Sequence, residues 1–212
     1  CIRDSSYMMI FVGFFACGYQ LAFITAHFPA LVTEMSAPID PLGWCGDLGI
    51  ETTAALGGFA ISVIGAANII GTLMAGWAGK RFGKKWLLSG IYAGRSIAAA
   101  WFILTPITAN TVLIFSFAMG FLWLATVPLT SGLVAHIYGL RYLATLYWIV
   151  FFTHQVGSFV GVYLGGVLYD MYGSYTTVWW IGIAVGVFSS LIHLPIREEA
   201  RLSTKSAMFD KA

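Results

Sequence analysis

The chain has 212 residues, of which 59% are hydrophobic and only 9% charged, with a net charge of +2. A soluble domain usually carries about 25% charged residues, and one of this size lacks the interior to hide so much apolar chain. The composition excludes an ordinary soluble domain, and the small net charge gives no ground for a nucleic-acid partner.

Six long apolar stretches follow one another, over about 8–32, 53–77, 86–105, 111–136, 142–168 and 177–194. Crossing about 30 Å of hydrocarbon takes about 20 helical residues at a rise of about 1.5 Å each. A membrane strand would be shorter and would alternate polar with apolar, which none of these stretches does. The expectation is an all-α polytopic membrane protein: a six-helix transmembrane domain over 1–196, in contact with the lipid bilayer, and a tail over 197–212. Pro106 ends the third span, and Pro128 inside the fourth is expected to kink it. Trp77, Trp86, Trp179 and Trp180 fall near the predicted interfaces and read as belt residues. Gly157, Gly161 and Gly165 recur every four residues on one face of the fifth span, a spacing that lets helix backbones approach in lipid.

Charge sets an expected orientation. The link between the first two spans carries Glu34, Asp40, Asp47 and Glu51 and no basic residue, whereas the next link packs Lys80, Arg81, Lys84 and Lys85 into six residues. Arg141 lies between the fourth and fifth spans, and Arg197, Arg201, Lys205 and Lys211 lie in the tail. The positive-inside rule then puts both ends in the cytoplasm, in a plasma or bacterial inner membrane. Arg95 is the one basic residue inside a span. The chain opens at Cys1 rather than Met, which reads as a segment entering a longer protein part-way.

Chemistry of other kinds finds little support. Cys17 lies in a span and Cys45 in an outer link, neither with a metal-ligand partner at useful spacing. The four His are scattered. No phosphate loop, paired catalytic carboxylates or nucleophile–base arrangement stands out, so the expectation is no enzyme, no cofactor and no metal.

Several polar residues share a depth. Gln20, Asn68, Arg95, His154 and Gln155 lie about 14–20 Å along their spans at about 1.5 Å per residue, near the midplane. A charge there costs about 2.5–3.5 kcal/mol on the insertion scale. Arg95 must therefore meet an anion from outside the segment, or bond to helix carbonyls and the side chain of Tyr92 one turn earlier. His154 and Gln155 are adjacent and point about 100° apart, so at most one faces a cavity squarely. Gln20 and Asn68 read either as cavity residues or as interhelical glue.

The stretch GTLMAGWAGKRFGKK, Gly71 to Lys85, resembles the signature between paired helices of the major facilitator superfamily: Gly, three residues, Asp, Arg, one residue, Gly and two basic residues. Gly76, Arg81, Gly83, Lys84 and Lys85 match, and Lys80 stands where the pattern has Asp. In the family that acid helps latch a gate, which Lys80 cannot do. The stretch His154 to Tyr175, with GLVAHIYGLRY before it, resembles the eleventh helix region of monocarboxylate-type members.

The resemblance implies the C-terminal six-helix half of a twelve-helix transporter, built from inverted three-helix repeats and partnered by a missing N-terminal half. It implies secondary active transport of a small solute by alternating access, with an organic acid anion as the candidate class and protons as a candidate coupled species. It directs Gln20, Asn68, Trp123, His154 and Gln155 toward the cavity and Arg95 away from it. The alternative reading is a membrane channel or a non-transporting membrane scaffold.

Overall fold

The computed structural model describes residues 2–40 and 43–199. Most of the tail predicted over 197–212, from residue 200 onward, lies outside the described residues. Among the described residues eight helices occur in order: α1 (Ser5–Met35), α2 (Trp44–Asp47), α3 (Thr53–Ala78), α4 (Lys84–Leu104), α5 (Ala109–Phe121), α6 (Thr126–Tyr138), α7 (Leu143–Tyr172) and α8 (Thr176–His193). No strand occurs among the described residues. With α5 and α6 taken as two halves of one span, six helices are long and apolar enough to cross a bilayer. The described residues thus form an all-α, six-span integral membrane bundle.

Local chemistry sets the helix ends. Thr52 caps α3 by accepting from Ala55 N at 3.1 Å, and Thr108 forms a capping box with Thr111 at the start of α5. Helices α6 and α7 stop at Gly139 (φ 77°) and Gly173 (φ 63°), backbone angles that suit glycine.

The spans pair in a regular exchange. Helix α1 packs most closely on α7, α3 on α5, and α4 on α8. Two three-span units related by an inverted two-fold would pair the first span with the fifth, the second with the fourth, and the third with the sixth, as observed. Glycines make the first two seams. A Cβ on Gly157 or Gly161 would collide with the backbone carbonyls of Phe15 and Tyr19, and one on Gly18 with that of His154. Gly71 and Gly120 stand in the same relation to the carbonyls of Phe121 and Ile64 across the α3/α5 seam. Small residues allow such approach where lipid offers no hydrophobic drive between helices. Gly165 faces the ring of His27, whose Nε2 lies 3.0 Å from Val162 O.

Two apolar clusters fill the bundle. One gathers Tyr7, Phe14, Leu88, Tyr92, Leu133 and Val150 toward the end that carries the basic turn. The other gathers Phe28, Leu56, Phe102, Phe115, Val178 and Trp179 toward the opposite end. Trp179 is a correction to the belt expectation: it is buried and donates from Nε1 to Ala99 O at 2.9 Å. Trp77, Trp86 and Trp180 are exposed.

The fourth span also departs from expectation. It does not merely bend at Pro128; it is interrupted over 122–125, before the proline. Proline removes its own N–H and its ring clashes with the carbonyl four residues earlier, here that of Leu124. The chain tightens instead, with Trp123 N bonded to Gly120 O at 2.9 Å and Val127 N to Leu124 O at 3.0 Å.

Chain-end contacts tie the basic end together. Tyr138 Oη donates to Asp4, and Arg197 N donates to Ser6 Oγ at 3.2 Å. The Glu198 carboxylate accepts from Lys85 N in the first turn of α4.

Candidate functional site

The interruption in the fourth span frees backbone groups at mid-membrane, and a free polar group there is costly. Their partners are side chains from other spans. Arg95 of α4 donates from Nε to Leu122 O at 3.0 Å and from Nη2 to the same oxygen at 2.6 Å. Nη2 also donates to Trp123 O. On the opposite edge of the break, Leu124 N donates to Asn68 Oδ1 of α3 at 2.9 Å. Thr72 Oγ1 donates to that same oxygen at 3.1 Å, which fixes the amide's orientation. Asn68 acts as a cap for α6 supplied from a neighbouring helix.

Arg95 reaches further. Its Nη1 donates to Cys17 Sγ of α1 at 3.5 Å, and that sulfur lies 3.2 Å from Thr126 Oγ1. The guanidinium carbon sits 5.5 Å from the Tyr92 ring centroid. The residue is 0% exposed, and no carboxylate among the described residues pairs with it. Carbonyls and a sulfur therefore surround the buried cation.

His154 of α7 borders this cluster beside Cys17. Its ring stacks on Phe151 with centroids 5.2 Å apart and packs against Phe14 at 5.3 Å. His154 Nδ1 lies 3.4 Å from Gln155 Oε1, and Ser158 Oγ donates to His154 O at 2.9 Å. Gln155 is exposed, while His154, Asn68 and Trp123 are half-buried. Asn68 and Trp123 lie at the break itself, while His154 lies beside Cys17 with Gln155 next to it at the exposed rim of α7.

Gln20 turns away from that rim. It is buried between α1 and α8, and Nε2 donates to Gly182 O at 3.0 Å. It ties two helices and borders a small cavity of 20 Å³ with Phe23, Trp179 and Gly182. At the basic turn, Lys80 and Arg81 are exposed, and Gly76 has open space around it. Gly83 and Lys85 adjoin the Glu198 carboxylate. The acid at the start of α4 thus comes from beyond the last span, not from the turn, where Lys80 stands.

Cys17 and Thr126 belong to the cluster without any signal in the sequence. Both are small, uncharged residues within apolar runs, and 109 residues separate them. Among the described residues no group of three or more His, Cys, Asp or Glu side chains could hold a metal ion.

The sequence model described as Major Facilitator Superfamily matches residues 8–210. An uncharacterized MFS-type transporter of Bacillus subtilis (strain 168), YcxA, is 25% identical over 192 residues, covering 88% of this chain and 43% of the relative. The chain therefore spans less than half the length of that relative.

Proposed function

This chain belongs to the major facilitator superfamily, and from that premise we propose that it is one six-span half of a secondary active transporter. It moves a small solute by alternating access, against a second six-span half of the same protein. The interrupted fourth span carries the reading. Irregular backbone at mid-membrane persists where protein buries it or a cavity borders it, and secondary transporters put such breaks at the substrate site. Here the break is bordered by the half-buried Asn68, Trp123 and His154, with Gln155 at the rim.

The half is the C-terminal one, resembling monocarboxylate-type members, with both ends in the cytoplasm of a plasma or bacterial inner membrane. The one-sided basic links support that orientation. An organic acid anion is the solute class that the electrostatics favour. Arg95 is buried without a carboxylate among the described residues, so the midplane carries a positive field that attracts an anion. Arg95 acts through this field and through the break, since it is closed off from contact. His154 is the candidate for proton symport, because imidazole titrates near working pH.

Reconstitution of the whole protein and radiolabelled uptake of mono- and dicarboxylates against sugars tests this. Saturable carboxylate flux that responds to a pH gradient is the expected result. Electrical conductance without saturable flux would establish the channel reading, and neither activity would leave a scaffold.

A further inference from the structure

The open gap beside the basic turn combines an apolar cavity with a cluster of basic side chains. Helices α3 and α4 are joined by a short turn yet barely touch each other. Between them lies a cavity of 170 Å³ walled by Gly71, Met74, Trp77, Leu87, Leu122 and Leu129. It runs from the turn inward for about 9 Å, the rise from Gly71 to Trp77. Its walls are almost wholly apolar, and Met74 and Trp77 are 49% and 52% exposed.

Positive charge gathers at its outer end. The Arg81 guanidinium lies over the Trp77 ring at 4.4 Å, so the side chain that walls the cavity also carries a cation. Lys80 is exposed next to it. Across the cavity, the Lys84 stem crosses Gly132, one turn beyond Leu129. The inner end abuts Leu122, the residue whose carbonyl Arg95 holds.

A greasy slot one helix-gap wide, with its exposed cations gathered at the outer end, matches one chemistry. We propose that it binds an anionic phospholipid, with an acyl chain in the α3/α4 gap and the phosphate against Arg81, Lys80 and Lys84. A larger groove of 340 Å³ between α4 and α8, walled by residues such as Ile97, Ala100 and Val187, is as apolar but lies away from the basic turn, its α4 wall beginning only at Ala93. It accepts any acyl chain and offers an internal control. The assignment requires the bilayer and the basic turn, and does not depend on the transport reading or on which face of the membrane the turn occupies.

Brominated acyl chains quench tryptophan on contact, so the test reads Trp77 directly. The whole protein is reconstituted in vesicles containing equal fractions of dibrominated phosphatidylglycerol or dibrominated phosphatidylcholine. The Trp77 signal is the difference between the parent protein and Trp77→Phe, and Trp101→Phe gives the same measure at the α4 surface beside the control groove. Preferential quenching of Trp77 by the anionic lipid is expected, with no preference at Trp101. That preference should fall about fivefold for each of Lys80→Gln and Arg81→Gln, in line with the attraction of one basic residue for an anionic surface. Equal quenching by the two lipids would overturn the proposal by reducing the site to ordinary lipid contact. Preference that survives in the double Gln variant would overturn the headgroup assignment. No quenching by either lipid would mean that protein covers the gap, which also overturns it.

Discussion

Arg95 and Leu122 are joined by a two-pronged contact in which Nε and Nη2 of the arginine donate to a single carbonyl oxygen, at 3.0 and 2.6 Å. The contact converts a costly buried charge and a broken helix into each other's remedy. Neither feature is tolerable alone: the cation needs acceptors, and the carbonyls that the interruption frees need donors.

Removing the guanidinium should therefore damage the fold before it alters selectivity. Arg95→Gln leaves two carbonyls short of donors, each unmet group costing about 1–3 kcal/mol. Arg95→Lys keeps the charge but loses the fork and should fall between the two. Melting in detergent, followed by size-exclusion chromatography, measures the order. An Arg95→Gln protein that melts like the parent but has a changed anion preference would contradict this role.

Asn68 offers a finer test. Asn68→Ala leaves Leu124 N without its acceptor and should destabilise by about 1–3 kcal/mol. Asn68→Asp retains an oxygen at the same place and keeps the amide bonded, but the cost of a charge at that depth, about 2.5–3.5 kcal/mol, should leave it no more stable than the Ala variant. Hydrogen exchange at the Leu124 amide is the direct readout: fast in the Ala variant, slow in the Asp variant.

The glycine seams predict opposite effects within one helix. A Cβ on Gly161 would meet the Tyr19 carbonyl, whereas Gly166 has open space around it. Gly161→Ala should cost about 1–3 kcal/mol through overpacking. Gly166→Ala should be neutral or stabilise by up to about 1 kcal/mol, because alanine is the better helix former. Thermal melts of the pair check the sign of each.

Cysteine labelling tests the proposed orientation. Leu48 and Phe82 are each 59% exposed and lie on links predicted to face opposite compartments. In a Cys1→Ser background, Leu48→Cys and Phe82→Cys should react with an impermeant maleimide from opposite sides of sealed vesicles. The native Cys45 should contribute little at neutral pH. Burial pushes its thiol up from the ordinary value, so thiolate is scarce at pH 7 and its labelling should accelerate as pH rises. Access to both introduced sites from one side would refute the orientation.

His154→Ala addresses the coupling. If the imidazole titrates during the cycle, uptake by the variant should lose its response to a pH gradient. Unchanged uptake with unchanged pH dependence would remove His154 from the mechanism.

The spans were legible because length and apolarity in a bilayer leave few alternatives. The depth of Arg95 was legible too, but its partners were not. Its acceptors are backbone oxygens 27 and 28 residues away and a sulfur 78 residues away, and a carbonyl has no identity in a sequence. Pro128 announced a disturbance, but its effect falls on the turn before it, because the ring excludes the carbonyl four residues earlier. Gln20 had the right depth for a cavity residue, and depth alone does not say which way a side chain turns; Gly182 O on α8 captures it.

The contact between Glu198 and the start of α4 bears on how the protein should be handled. It moors the polypeptide beyond the final span to the head of the third, and the wholly buried Ile196 anchors the same stretch. Shortening the chain after residue 199 preserves both attachments. A cut before Ile196 would strip a carboxylate from a helix start and open a hole in the apolar interior, so a trimmed version made that way would unravel at α4 first.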